Sequence, residues 1–321
     1  MSIDDFPKTA LEFDERFSSE EACRAYLIKV RWPEGFRCAA CGGKKAWTSS
    51  RLYMICSQCG YQASLTAGTV MQGSHKPLRM WFKAMWWVCT QKTGGSAKGL
   101  QKQLDLGSYQ TAWAWLQKLR RAMIRAGREA LEGPVEVDDA FLGGKEIGVR
   151  GRETIKKAKI VVAVEVTGDT RNISGRVRFA HIADFSANSL VPFVVENVAS
   201  GSQVITDGWE GYGPLADHGF IHQVRVIGPD KKRAVELLPN VHREIALLKR
   251  WLMGTHQGAV RPKQLQHYLD EFAFRHNRRK VRYAGKIFYR MLQGSVVTKA
   301  TPYWRLVGRE TPHRPLYMGS T

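Results

Sequence analysis

Four cysteines fall in two pairs, Cys38-x2-Cys41 and Cys56-x2-Cys59, with 14 residues between the pairs. Each pair holds two thiolates one tight turn apart, and four thiolates satisfy tetrahedral zinc. Because the protein supplies every ligand, such an ion is structural. Gly42-Gly43 and Gly60 follow the pairs, where a metal knuckle needs backbone freedom. A second group is acidic. Asp138 stands in VEVDDAF, and Asp207 follows the apolar run QVIT, ahead of Gly208-Trp209. Strand alternation sends Asp138 and its neighbour Asp139 to opposite faces, so only one of them reaches a shared site. Carboxylates at the carboxyl ends of strands converge on the crevice of an open sheet. Two of them suit phosphoryl transfer, in which two divalent ions about 3.5–4 Å apart activate the attacking oxygen and stabilise the leaving one. Mg²⁺ takes oxygen ligands and keeps several waters, so few side chains suffice. A third ligand from a helix would close the site, and NVHREIALLKRW offers both His242 and Glu244. Taken singly, each aspartate is equally well read as structural.

The elements that must position these residues are legible in outline. Ser18 and Glu21 have capping-box spacing, which predicts a helix to about Val30. Residues 36–75, rich in Gly, Cys, Ser and Thr, read as a small ribbon held by metal. Residues 78–126 are helical in period. Within them, residues 96–104, a turn at 105–108 and a second helix from Tyr109 to Arg125 follow the helix-turn-helix plan, whose second helix enters the major groove. An ordinary helical hairpin fits the same pattern. Trp113 and Trp115 are packing residues on this reading, and Cys23 and Cys89 are core thiols. Glu132-Gly133-Pro134 marks a domain boundary. Beyond it, VEVDDAF, KIVVAVEV and GRVRFAHI are three strands, SANSLVPFVVENV a helix, QVITDGW and HQVRVIG two more strands, and helices follow from about Val241 to Leu292. This order predicts an α/β domain, a mixed sheet flanked by helices.

The chain of 321 residues carries a formal net charge of +20 with pI near 9.9, which draws polyanions. Nucleic acid is the leading partner, ahead of an anionic membrane surface. No run reaches the 18 apolar residues of a membrane span, and MSIDDFPKTALEF lacks the basic and apolar regions of a signal peptide, so the chain reads as intracellular. Two basic runs are candidate phosphate clamps: GVRGRETIKKAK, with Lys156 and Lys157, and RHNRRKVRYAGKIFYR, with Arg278, Arg279 and Lys280. A solvated surface is the ordinary alternative. Such clamps would position DNA without reading its sequence.

The cysteine pairs, VEVDDAFLGGKE, VITDGWEGY, VHREIALLKRWLMGTHQGAV and KQLQHYLDEFAFRHNRR appear in this order along nearly the whole chain. Together they resemble the DDE-type insertion-sequence transposases that carry an N-terminal zinc ribbon, the ISXO-two-like group. The resemblance implies a ribonuclease-H-like catalytic domain over residues 132–295. It would follow an N-terminal helix (1–33), the ribbon (34–75) and a helix-turn-helix-like domain (76–131), and precede a C-terminal tail (296–321). It also implies catalytic Mg²⁺ or Mn²⁺ beside the structural zinc, and cutting and joining of DNA at terminal inverted repeats and a target. A cytoplasmic, nucleoid-associated protein acting as a dimer or larger assembly is implied as well. Asp138 and Asp207 match the first two acidic positions. The family at large places a Glu some 34 or 35 residues after the second Asp and a basic residue seven further on. Here 34 residues separate Asp207 from His242, and Lys249 lies seven beyond. His242 and Lys249 share a helix face roughly 10 Å apart, whereas Glu244 is rotated towards Leu247, Leu248 and Trp251. His242 is the favoured third ligand and Glu244 its rival, with Lys249 and Arg250 on phosphates. An imidazole ligand predicts more activity with Mn²⁺ than Mg²⁺ and metal loading that falls below about pH 6.5. The departure from Glu also leaves open an inactive, transposase-derived DNA-binding regulator.

Overall fold

A computed structural model describes residues 5–49, 53–125, 127–144, 157–168, 174–226, 236–258 and 260–308. Along the chain run α1 (Ala10–Arg16), α2 (Glu20–Arg31), β1 (Ala46–Thr48), β2 (Tyr53–Cys56), β3 (Gln62–Ser64), α3 (Leu78–Thr90), α4 (Ala97–Gln103) and α5 (Tyr109–Ala122). Then come β4 (Val135–Leu142), β5 (Ala158–Glu165), β6 (Val177–Ile182), α6 (Ala187–Asn197), β7 (Gln203–Thr206), a 3-10 segment (Glu210–His218) and β8 (Ile221–Val224). The last elements are α7 (Pro239–His256), α8 (Pro262–His276), α9 (Ala284–Val297) and α10 (Tyr303–Leu306). They form two compact units, Met1–Arg125 with Val281–Thr321, and Ala126–Lys280. No helix among the described residues is long and apolar enough to cross a membrane.

The first unit is built on aromatic helices and the ribbon. Phe13, Phe17, Tyr26, Phe82 and Phe288 pack ring against ring, and Trp81 stacks on Trp115 at 3.8 Å. Trp115 is therefore a packing residue, as its sequence context predicts. α2 starts one residue later than a Ser18 cap requires: Ser19 Oγ accepts from Ala22 N at 3.1 Å. Glu20, at the start of α2, has a carboxylate that accepts from Leu78 N and Arg79 N at 2.7 and 3.0 Å and so caps α3, which follows a proline and has no cap of its own.

Helix α9 belongs to this unit, although residues up to 295 were expected in the catalytic domain. Its Phe288, Met291 and Leu292 are fully buried, and it packs on α2, α3 and α5. Close approach depends on Gly294, where a Cβ would stand 1.9 Å from the Ala122 carbonyl oxygen. That neighbour is backbone and cannot swing aside. Gly294→Ala should therefore force the helices apart and cost at least about 1–3 kcal/mol, read as a lower urea midpoint. An unchanged midpoint would show that the contact is not tight.

In the second unit the sheet order is β6-β5-β4-β7-β8, with β4–β5 and β5–β6 antiparallel and β4–β7 and β7–β8 parallel. All five expected strands are present, and the mixed sheet with flanking helices is consistent with a ribonuclease-H-like domain. Alternation divides its core. Val135, Val137, Val161 and Ala163 pack towards α6, while Ile160, Val162, Val164 and Leu142 pack towards Val241, Ile245 and Leu248 of α7 and Leu265 and Leu269 of α8.

Candidate functional site

In the ribbon, the carbonyls of Cys38 and Cys56 accept from Gly42 N and Gly60 N at 3.0 Å each. Both glycines take positive φ, 71° and 72°, as the knuckle turn demands. The four Sγ atoms all lie within 4.8 Å of one another, with Cys38–Cys59 and Cys41–Cys56 each at 3.6 Å. Sulfurs about 2.3 Å from a tetrahedral zinc are roughly 3.8 Å apart, so the cluster fits that ion.

The acidic group forms around the middle of the larger sheet. Asp138 lies on β4, buried to 8% exposure. The parallel register pairs Val135 with Val204 and Glu136 with Ile205. Continued two residues, it brings Asp207 level with Asp138 at the carboxyl end of β7. Asp207 Oδ1 accepts from Trp209 N at 3.0 Å, a turn that fixes the carboxylate. Asp139 falls on the opposite parity, and its backbone N–H donates to Asp138 Oδ1 at 2.8 Å.

Helix α7 brings His242 beside Asp138. His242 Nε2 is 3.7 Å from Asp138 Oδ2, and this buried nitrogen has no hydrogen-bond partner among the described residues. Desolvation lowers the imidazole pKa below its ordinary value, against the pull of Glu136 and Asp207 and with the help of Lys249. The neutral ring is thus favoured. Glu244 is turned away: it is fully buried, accepts from Ser174 Oγ at 2.7 Å and meets His276 Nδ1 at 2.9 Å. Two residues along a helix is about half a turn, which separates the two side chains. Among the described residues only the four cysteines bring three or more ligand atoms within 4.8 Å of one another, so Asp138, Asp207 and His242 span more than that as a trio.

A residue that sequence reasoning passed over holds α7 in place. Glu136, 2% exposed, accepts from Asn240 Nδ2 and Val241 N at 2.9 Å each. α7 begins with Pro239 and has no side-chain cap of its own. A carboxylate from β4 thus satisfies the helix N-terminus one residue before His242 and matches its dipole. The signal was present in Val-Glu-Val-Asp, since residues two apart on a strand share a face.

The basic residues divide by their contacts. Lys249 and Arg250 are exposed on α7. Desolvation lowers the Lys249 pKa, with Asp138 pulling up and Lys157 pushing down, which places all three in one electrostatic neighbourhood. Lys249 also borders a cavity of about 530 Å³ walled by Leu142, Ala158, Leu252 and Leu265. Arg278 stacks on the Phe274 ring at 3.9 Å, and Arg279 donates to the carbonyls of His276, Gly175 and Ser174. These two arginines secure the end of α8. Lys280 is exposed, and Lys156 lies outside the described residues.

Comparison with known proteins agrees with this architecture. Residues 130–277 match the ISXO2-like transposase domain and residues 18–62 the transposase zinc-ribbon domain. The chain is 29% identical over 286 residues to an "Uncharacterized protein in transposable element ISH50" of Halobacterium salinarum, covering 81% of this chain and 91% of that one. These matches define a transposase. The chain belongs to the ISXO2-like transposases of insertion sequences that carry an N-terminal zinc ribbon.

Proposed function

We propose that the protein binds the terminal inverted repeats of its element and catalyses metal-dependent strand cleavage and strand transfer. The observation that carries this reading is the buried His242 Nε2, 3.7 Å from Asp138 and without a hydrogen-bond partner among the described residues, near the carboxyl end of β7 where Asp207 emerges. A buried ring nitrogen without a partner costs free energy unless something binds it, and two carboxylates beside it suit a cation. Asp138, Asp207 and His242 would hold Mg²⁺ or Mn²⁺; two such ions lower the pKa of an attacking water and stabilise the leaving oxygen. Glu136 keeps His242 aimed at the site. Lys249, Arg250, Lys157 and Lys280 position phosphates. The α4–α5 pair is read as the helix-turn-helix, with the exposed Tyr109 and Gln110 at the start of α5 directed to the groove. Joining two ends calls for a dimer or larger assembly.

The test is nicking and joining of DNA bearing the terminal repeats. Asp207→Ala should still bind that DNA but lose at least about 10³-fold in nicking. Wild type should prefer Mn²⁺, and His242→Glu should shift the preference to Mg²⁺. Because the His242 pKa is depressed and the neutral ring is the ligand, the acid limb of Mn²⁺-dependent nicking should fall below pH 6.5. Nicking by Asp207→Ala at the wild-type rate would sink the proposal. Binding by wild type with no metal-dependent nicking would favour the regulator.

A further inference from the structure

We propose that the outward face of the zinc ribbon is a stacking platform for unpaired bases of single-stranded DNA. The register defines that face. Trp47 pairs with Ile55 and Ile55 with Gln62, while Tyr53 pairs with Ser64. Alternation puts Trp47, Tyr53, Ile55, Gln62 and Ser64 on one side of the three strands and Thr48, Met54, Cys56 and Ala63 on the other. On the second side Met54 and Cys56 are buried, at 7% and 2% exposure. On the first, Trp47 is 56% and Tyr53 36% exposed. The inner face thus buries Met54 and Cys56, although Tyr61 on that side is also exposed, while the outer face carries the exposed Trp47 and Tyr53 on adjacent strands.

Charge selects the partner. No Asp or Glu occurs between Glu34 and Asp105, a stretch that includes the whole ribbon, whereas Lys44 and Lys45 are exposed where β1 begins. Aromatic rings beside lysines on a surface without acids suit a polyanion that offers flat apolar faces. Duplex DNA hides those faces in its own stack; a single strand displays them. Trp47 and Tyr53 stand diagonally on neighbouring strands, a separation of about 7–8 Å. Small sheets elsewhere use this layout to stack two or three successive bases. Single strands arise wherever transposon ends are nicked and frayed. The inference rests on the chain acting on DNA, but not on the metal constellation.

The test uses the full-length, zinc-loaded protein without added Mg²⁺ or Mn²⁺. Fluorescence anisotropy would compare a labelled short oligothymidine with a duplex of unrelated sequence at one salt concentration. Trp47→Ala and Tyr53→Ala should each weaken oligothymidine binding by about 5- to 100-fold, the range expected for one lost base stack. Trp47→Phe should lose less, and duplex affinity should move less than about 2-fold in all three. Unchanged oligothymidine binding in both alanine variants, with zinc content intact, would overturn the proposal. So would equal losses for single strand and duplex, or a change only in the sedimenting species, which would make the face a protein contact. Asp207→Ala should bind oligothymidine as wild type does, so failure of the catalytic reading and failure of this one are separable.

Discussion

Stripping zinc from Cys38, Cys41, Cys56 and Cys59 is expected to unfold the ribbon while leaving the larger sheet intact. β1, β2 and β3 have only three, four and three residues. Sheets this small lack the buried apolar surface to hold themselves together. Their inner side contributes little beyond Met54, Cys56 and the nearby Leu65. Structural zinc in comparable small modules supplies about 10–16 kcal/mol, so the metal carries the fold of this segment. Hydrogen exchange gives the reading. On chelation, amides of residues 46–48 and 53–56 should lose protection, while Val161–Val164 of β5, in the centre of the other unit, should keep theirs. Ribbon amides that stay protected after the zinc has left would show that packing alone holds it.

Glu244→Ala is expected to cost at least about 1–3 kcal/mol, the usual result of leaving buried polar groups without their acceptor. The carboxylate has no solvent exposure, and its loss leaves His276 Nδ1 and Ser174 Oγ without their acceptor. Glu244→Gln, which keeps the volume and one acceptor, should lose less. Burial pushes the Glu244 carboxyl up, but its hydrogen bond and charge interaction with His276, then Ser174 and Arg243, bring it below the ordinary 4.5. A depressed native pKa means the contribution is complete above about pH 4.5 and is lost as pH falls through the lower native value. The gap between wild type and Glu244→Ala should therefore be widest near neutrality and narrow in acid. Urea denaturation across pH would show this. A neutral-pH difference under about 1 kcal/mol would mean that the pair adds little to stability.

What the sequence disclosed and what it hid divide along a physical line. Val-rich runs such as KIVVAVEV announce a strand buried on both faces, and the other four strands of the second unit were legible from their β-rich runs and order. The cysteine pairs announced their cluster because ligand spacing is local. The spacing from Asp207 to His242, with the helical wheel, favoured His242 over Glu244 as an expectation; the structure places His242 near Asp138 and Glu244 against His276. Long-range partnerships were hidden. Nothing near Glu20 reveals that it caps a helix 58 residues away, and nothing near α9 reveals that it packs beside α5. Arg278 and Arg279 read as candidate phosphate clamps in a basic run, and nothing in the sequence shows that they also meet the Phe274 ring and carbonyl oxygens. Glu136 falls between these cases: its face was readable, but its partner on α7 was not.

The return of the chain to its first unit has a consequence for synthesis on the ribosome. The sheet of Ala126–Lys280 emerges whole and can fold while translation continues, whereas the N-terminal helices wait for Ala284–Val297, whose Ser295 meets the buried Met85. A reading frame cut short before that helix would thus release a folded sheet attached to a sticky, unfinished head. Loss of Ala284–Val297 therefore damages the first unit, while the sheet of the second can still fold.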